Sequence, residues 1–184
     1  MARGKPEAIA LGPGSLYVAV LGTAEPMDLV TPWASVSANW IGLGYTDEGS
    51  KVNYSVDSET VDVAEELDAI AVALTSRELT IDFALAQITA TNLRVALNGG
   101  TITAGSGIVT FEPPDLGEEI RTMIGFESED HTERWVFRKT LQVGNMEINR
   151  GKGAAKATIG CSFKAERPAG AKLFKAILAS PTRL

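Results

Sequence analysis

The sequence predicts a mainly β protein, a β-sandwich or barrel-like body with one short flanking α-helix, and three observations carry that reading. Apolar side chains recur at every second position in several segments, the signature of half-buried strands. Turn chemistry separates those segments at short intervals, as in sandwiches and barrels. A single segment departs to helical spacing. The chain has 184 residues, a size for one domain that buries roughly 70% of the surface its unfolded form exposes.

Taken in order, residues 1–40 read as an extended N-terminal arm with a first strand, Leu16 to Leu21. Gly12, Pro13, Gly14, Gly22, Pro26 and Pro32 punctuate this run. Such an arm packs partly on its own body and partly on a neighbour, and arms of this kind often order on assembly. Residues 45–70 read as an acidic hairpin with strands at Val52–Val56 and Thr60–Val63. In the next segment Leu79, Ile81, Phe83 and Leu85 share a face, with Thr80, Asp82 and Gln87 off it. Residues 88–99 read as the helix. Thr89 or Thr91 is its N-cap, Leu93, Ala96 and Leu97 form a stripe, and Gly99 stands where a C-cap glycine belongs.

Further strands are expected at Ile108–Phe111, Ile120–Phe126 and Leu173–Leu178. In ERWVFRKTLQV, alternation sets Trp135, Phe137, Leu141 and Val143 against Arg138, Thr140 and Gln142. In AAKATIGCSFKAE, Ala157, Ile159, Cys161 and Phe163 alternate with Lys156, Thr158, Ser162 and Lys164. Turns fall at Ser106-Gly107, at Glu112-Pro113-Pro114-Asp115 and at Asn149-Arg150-Gly151-Lys152-Gly153.

Composition narrows the function classes. The apolar fraction is 45% and the charged fraction 22%, as in folded soluble proteins rather than disordered ones. No uncharged apolar run reaches membrane-spanning length, so no membrane partner is expected, and the N-terminus lacks a signal-peptide core. Folding in a cytoplasm follows as the expectation. Cys161 is the sole cysteine and His131 the sole histidine, which rules out an intrachain disulfide and most zinc or histidine-relay sites. Charge divides along the chain. Up to Glu133 there are 6 Lys/Arg against 21 Asp/Glu, and from Arg134 onward 11 against 2. If the two sets occupy different surfaces, copies can dock acidic face on basic face; alternatively the sets intermix on the folded surface.

Motifs for chemistry are absent or weak. Six residues separate Gly144 from Gly151 and Gly153 stands where a phosphate loop needs Ser or Thr, so this stretch reads as a tight turn. Gly42 and Gly44 lack the third glycine of a dinucleotide site. Asn53-Tyr54-Ser55 is a formal glycosylation sequon that matters only on secretion. His131 reads as a solvated loop residue, Glu65/Glu66 and Glu118/Glu119 as surface charge, and Trp33, Trp40 and Trp135 as core anchors. No catalytic residue, metal site or cofactor is assigned.

The informative stretch is Asp47 to Asp68, with eight acidic residues against Lys51. Val52, Tyr54 and Val56 share one strand face, while Asn53, Ser55 and Asp57 share the other. The acidic side is either a solvated face or the lining of a channel along which DNA slides without sticking, like charge suppressing phosphate attraction. Asp57, Glu59 and Asp62 are the lining candidates. Asp47, Glu48, Glu65, Glu66, Arg150, Lys152 and Lys156 are the candidates for contacts between copies.

GSLYVAVLGTAEPMD (Gly14 to Asp28) and WIGLGYTDEG (Trp40 to Gly49) resemble the opening of siphophage major tail tube proteins, especially those of phages of actinobacteria. RELTIDFALAQITATNLRVALNGG (Arg77 to Gly100), a strand feeding a short helix, extends the likeness to about half the chain. The resemblance implies a single tail tube domain over 1–184, six copies to a ring, and rings stacked into a tube. In that family a hairpin from each subunit joins a barrel around the lumen. It also implies tape measure, tail terminator and distal tail proteins as partners, DNA only in transit, a place in the virion, and no catalytic residues. A β-sandwich binding module, such as a capsid decoration or receptor-binding domain, is the alternative, and a hydrolase of unfamiliar type ranks third.

Overall fold

The computed structural model describes residues 14–61, 71–150 and 157–180. In chain order these form β1 (Ser15–Val20), α1 (Trp33–Val36), β2 (Ile41–Gly42), β3 (Thr46–Val61), β4 (Ala71–Leu85), α2 (Ala90–Ala96), β5 (Thr101–Gly105), β6 (Ile108–Glu112), β7 (Thr122–Glu127), β8 (Glu133–Gln142), β9 (Ile148–Asn149), β10 (Thr158–Ala165) and β11 (Phe174–Leu178). Nine strands make one antiparallel sheet ordered β2-β1-β7-β8-β10-β4-β3, with β11 on β8 and β9 on β10; β5 and β6 form a separate two-stranded ribbon.

That order has a geometric consequence. β2 and β3 lie at opposite edges of the sheet, yet only Leu43, Gly44 and Tyr45 separate them in sequence. Four Cα steps span at most about 15 Å. The sheet therefore curls until its edges approach, and the body is barrel-like. The strap between the edges is bonded to both sides, Leu43 N to Leu16 O at 2.9 Å and Ala86 N to Tyr45 O at 2.8 Å.

The inner face of the curl is the main core. Leu79, Ile81, Phe83 and Leu85 of β4 lie beside Ile159, Cys161 and Phe163 of β10, as their period-two spacing requires. Phe83 and Phe163 stack with centroids 5.6 Å apart. On the outer face of β1, β7 and β8, the segment 21–40 folds back as a second layer. Trp33 and Trp40 are buried there against Ala19, Met123 and Val136, and Trp135 packs against the main core. Gly125 makes this layer possible, because a Cβ at that position would come within 2.6 Å of the Trp33 ring.

Several expectations change in detail. Within the first forty residues, 14–40 supply β1, paired with both β2 and β7, and the outer layer; residues 1–13 lie outside the described ones. A second, single-turn helix, α1, joins the expected one. In α2 Thr89 is the N-cap, its hydroxyl accepting from Asn92 N at 3.1 Å. The buried face is Asn92, Val95 and Ala96, rather than the Leu93/Ala96/Leu97 stripe. The left-handed residue at its end is Asn98 (φ 56), not Gly99. Gly99 N donates to Arg94 O and Asn98 N to Val95 O, the paired bonds of a Schellman cap.

The phase of β8 also differs from strict alternation. Thr122 pairs with Thr140 but Ile124 with Phe137, so β8 carries one extra residue. After this bulge Thr140 and Gln142 are buried while Leu141 is half-exposed and Val143 exposed. A bulge inserts one residue without a partner and reverses which side chains face in.

Candidate assembly surface

The hairpin read within residues 45–70 is larger than its sequence suggested. Val52–Val56 and Thr60–Val63 are not two strands joined by a turn. Nothing in Asp57-Ser58-Glu59 breaks a strand, and β3 runs unbroken from Thr46 to Val61, paired with β4. The connection, residues 62–70, lies outside the described residues. A register shift at Asp57/Ser58 accommodates one extra residue of β4.

Pairing with β10 covers Thr80–Leu85 of β4, and beyond it the two strands run on together. In this outer part both edges lack a strand partner among the described residues. The register sets Val52 against Ile81, Tyr54 against Leu79 and Val56 against Arg77 on one face; Asn53 against Thr80, Ser55 against Glu78 and Asp57 against Ser76 lie on the other. The hairpin has an apolar side continuous with the core and an acidic side facing away. The core ends beneath it, leaving Val52, Tyr54, Val56, Val72 and Leu74 exposed.

The candidate residues fall in different places. Asp57 and Glu59 are exposed on the outer part, and Asp57 accepts a hydrogen bond from Ser76 Oγ. Asp47, half-buried, and Glu48, exposed, sit at the other end of β3, in the irregular stretch between Thr46 and Ser50. Ten residues of strand, about 30 Å, separate Asp47 from Asp57. Arg150 is exposed. Asp62, Glu65, Glu66, Lys152 and Lys156 lie outside the described residues.

A clamp that sequence reasoning missed holds the outer layer in place. Arg134, 2% exposed, donates through Nε and Nη2 to Glu127 Oε1 at 3.1 and 2.7 Å, and through Nη1 to Asp28 O at 3.0 Å and Thr31 O at 2.7 Å. Trp33 Nε1 donates to Glu127 Oε2 at 2.8 Å, and the Arg134 guanidinium lies 5.6 Å from the Trp33 ring. Burial pushes the Glu127 carboxyl up, but hydrogen bonds from Arg134, His131 and Trp33 outweigh it and hold the group below its ordinary value. The available signal was positional, since Glu127 and Arg134 stand directly opposite across the β7–β8 turn. His131 Nδ1 lies 2.8 Å from Glu127 Oε1, its side chain 69% exposed.

Other basic side chains of the second half bind distant segments. Arg138 binds Glu25, Lys164 Nζ meets Glu78 at 2.9 Å, and Lys175 Nζ donates to Pro26 O at 2.9 Å. Arg138 with Glu25 and Lys164 with Glu78 are places where members of the two sets meet within one chain. Among the described residues no three His, Cys, Asp or Glu side chains group as metal ligands, and no helix is long and apolar enough to cross a membrane.

A curled antiparallel body that extends one long hairpin, both of whose outer edges lack a strand partner among the described residues, defines a β-structured protein with backbone available for strand addition. The family is specific: the model for phage tail tube proteins matches residues 1–181, and the chain belongs to that family. It is a structural protein of the phage virion. Among solved structures, the chain is similar to one in the six-fold symmetrised cryo-EM structure of the anti-feeding prophage baseplate, at 8% identity over 97% of this chain and 100% of that one, with a TM-score of 0.49. Hcp1 from Salmonella typhimurium matches at 11% identity over 91% of this chain and 95% of its own, with a TM-score of 0.31. No curated protein matches the chain.

Proposed function

We propose that copies of this chain close into rings, six to a ring as the family resemblance implies, that the rings stack into a tube, and that the lumen conducts DNA during genome delivery. The observation that carries this reading is the pair of open edges on the β3–β4 hairpin. The β3 edge of one copy and the outer β4 edge of the next are different surfaces of the same element, so their contact is head to tail. Repeated with a closing rotation, it makes a ring in which no hairpin edge stays unpaired.

The two faces of the hairpin then have separate roles. The apolar side, with Val52, Tyr54 and Val56, turns toward protein, and the acidic side, with Asp57 and Glu59, turns toward the lumen; Asp62 remains the third lining candidate. Phosphates meet like charge there at Asp57 and Glu59, which weakens their attraction to the wall. Asp47, Glu48, Glu65, Glu66, Arg150, Lys152 and Lys156 remain candidates for contacts between copies. Tape measure, tail terminator and distal tail proteins are the further partners.

Negative-stain microscopy of the purified protein across a concentration series tests the assembly. Rings or tubes of one diameter are expected, and a compact monomer under every condition would sink it. Reversing charge at Asp57 and Asp62 is expected to leave folding intact while slowing genome ejection and lowering titre. Normal titres in that variant would remove the lumen assignment.

A further inference from the structure

The β5–β6 ribbon touches α2 but stands apart from the nine-stranded sheet. It is not hydrogen-bonded into the nine-stranded sheet. In its two strands only Ile102 and Phe111 are half-buried; the others are exposed, Ile108 at 66% and Val109 at 57%. The register gathers Ile102, Phe111, Ala104 and Val109 on one side. From Thr101 to Phe111 there is no charged residue and no proline.

The ribbon is nonetheless built to hold its shape. Its turn residues Ser106 and Gly107 both have positive φ, 50° and 77°, the two-residue geometry that matches strand twist. At its root the Phe111 ring lies where a Cβ on Gly100 would be, within 2.9 Å. A two-stranded hairpin without a covering layer is marginal in water. Its edges carry none of the lysines, prolines or bulges by which proteins block strand addition. Contact with α2 leaves Ile108 and Val109 exposed, and that uncovered apolar part implies a partner.

We propose that this ribbon is the contact between rings, docking on a second copy of the chain in the next ring. The inference rests on the ring reading above and adds the surface that joins one ring to another. Position along the strands supports it. The ribbon follows Asn98, whose side chain bonds the backbone of Gln142, and Gln142 stands through Phe163 in register with Ile81 of β4; Ala71, where the described part of the hairpin ends, is ten strand steps or about 33 Å further along β4. The hairpin edges serve closure within the ring, which leaves a contact from the far end to act between rings.

Size decides how such a contact works. Five residues per strand give about 14 Å of length and two strands about 10 Å of width, far below the roughly 800 Å² per partner of a stable pair. One ribbon does not hold two monomers together. Repeated around a ring it does, because after the first contact the others form within one complex. Rings therefore precede tubes.

The test is the double variant Ile108→Asp/Val109→Asp, with Val109→Thr as a milder change in case the double variant folds poorly. Both side chains are exposed, so the thermal midpoint is expected within about 2 °C of wild type. In negative stain, rings of wild-type diameter persist while mean tube length falls at least ten-fold, and Val109→Thr gives intermediate lengths. Tubes of wild-type length in the folded double variant would overturn the proposal, as would loss of rings together with tubes, which would place the ribbon in the ring contact. A wild-type protein that never forms rings overturns the ring reading, and this inference with it.

Discussion

Replacing Arg134 with methionine keeps an apolar stem like that of the arginine and removes the guanidinium. Glu127, 5% exposed, would then hold its charge with Trp33 and His131 as its remaining donors. Removing one partner of a buried pair costs about 3–5 kcal/mol. The freed carbonyls of Asp28 and Thr31 lie in an exposed loop and regain water, so they add little. In a domain of this size each kcal/mol is worth about 2–4 °C, giving a fall in Tm of about 6–20 °C.

Differential scanning calorimetry at pH 7 measures this fall, and two further signatures identify its cause. In wild type the Glu127 carboxyl sits below its ordinary value of 4.5. Its contribution is therefore fully present above that value and is lost as pH falls through the folded pKa. Without Arg134 the effect of burial dominates, the carboxyl moves upward, and protonation relieves the stranded charge, so the deficit against wild type narrows as pH drops toward about 4. The double variant Arg134→Met/Glu127→Gln should recover at least half the loss. A single variant within 2 °C of wild type, or a double variant no more stable than the single, would refute the reasoning.

Asn92, 1% exposed, donates to Leu43 O at 3.1 Å and Gln87 O at 2.8 Å. Asn92→Ala strands two carbonyls beside the strap that joins the sheet edges and should cost about 2–4 kcal/mol, seen as a lower urea midpoint at unchanged slope; an unmoved midpoint would show that the strap is held by other means. Burial pushes the Cys161 thiol up to about 12. Alkylation by iodoacetamide at pH 8 is thus expected to be at least ~100-fold slower in native than in denatured protein, and equal rates would contradict the packing. The Arg138 hydrogen bond holds Glu25 below its ordinary value of 4.5, so the stability it adds is present above that value and lost as pH falls below it. Arg138→Ala should flatten the dependence of Tm on pH between about 5 and 3, whereas a curve merely displaced from wild type would argue against the pairing.

Where one face of a strand meets the core without interruption, alternation was a sufficient guide. Leu79 to Leu85 and Ile159 to Phe163 face inward as their spacing required, and Thr89 caps α2 because its hydroxyl supplies an acceptor the helix start lacks. The same rule placed Leu141 and Val143 on the wrong side of β8, because the bulge after Phe137 is set by the partner strand. It also divided β3 at Asp57-Ser58-Glu59, where pairing with β4 sustains an extended chain that polar composition alone does not reveal. The acidic and apolar sides of the hairpin could be read from residue order; that both its edges lie open could not, since an edge is defined by the absence of a third strand.

The sequence by itself determined a mainly β protein with a short helix, the inward faces of its regular strands, the two-sided hairpin segment, and a resemblance to tail tube proteins. These are local properties, fixed by side-chain period, turn residues and capping chemistry. Only the tertiary structure decided the strand order that brings the sheet edges together, the Glu127–Arg134 clamp beneath Trp33, the Arg138–Glu25 and Lys164–Glu78 pairs and the separation of the β5–β6 ribbon from the sheet. Each of these depends on which distant segments become neighbours, and that is settled by the packing free energy of the whole chain rather than by the preferences of any one segment.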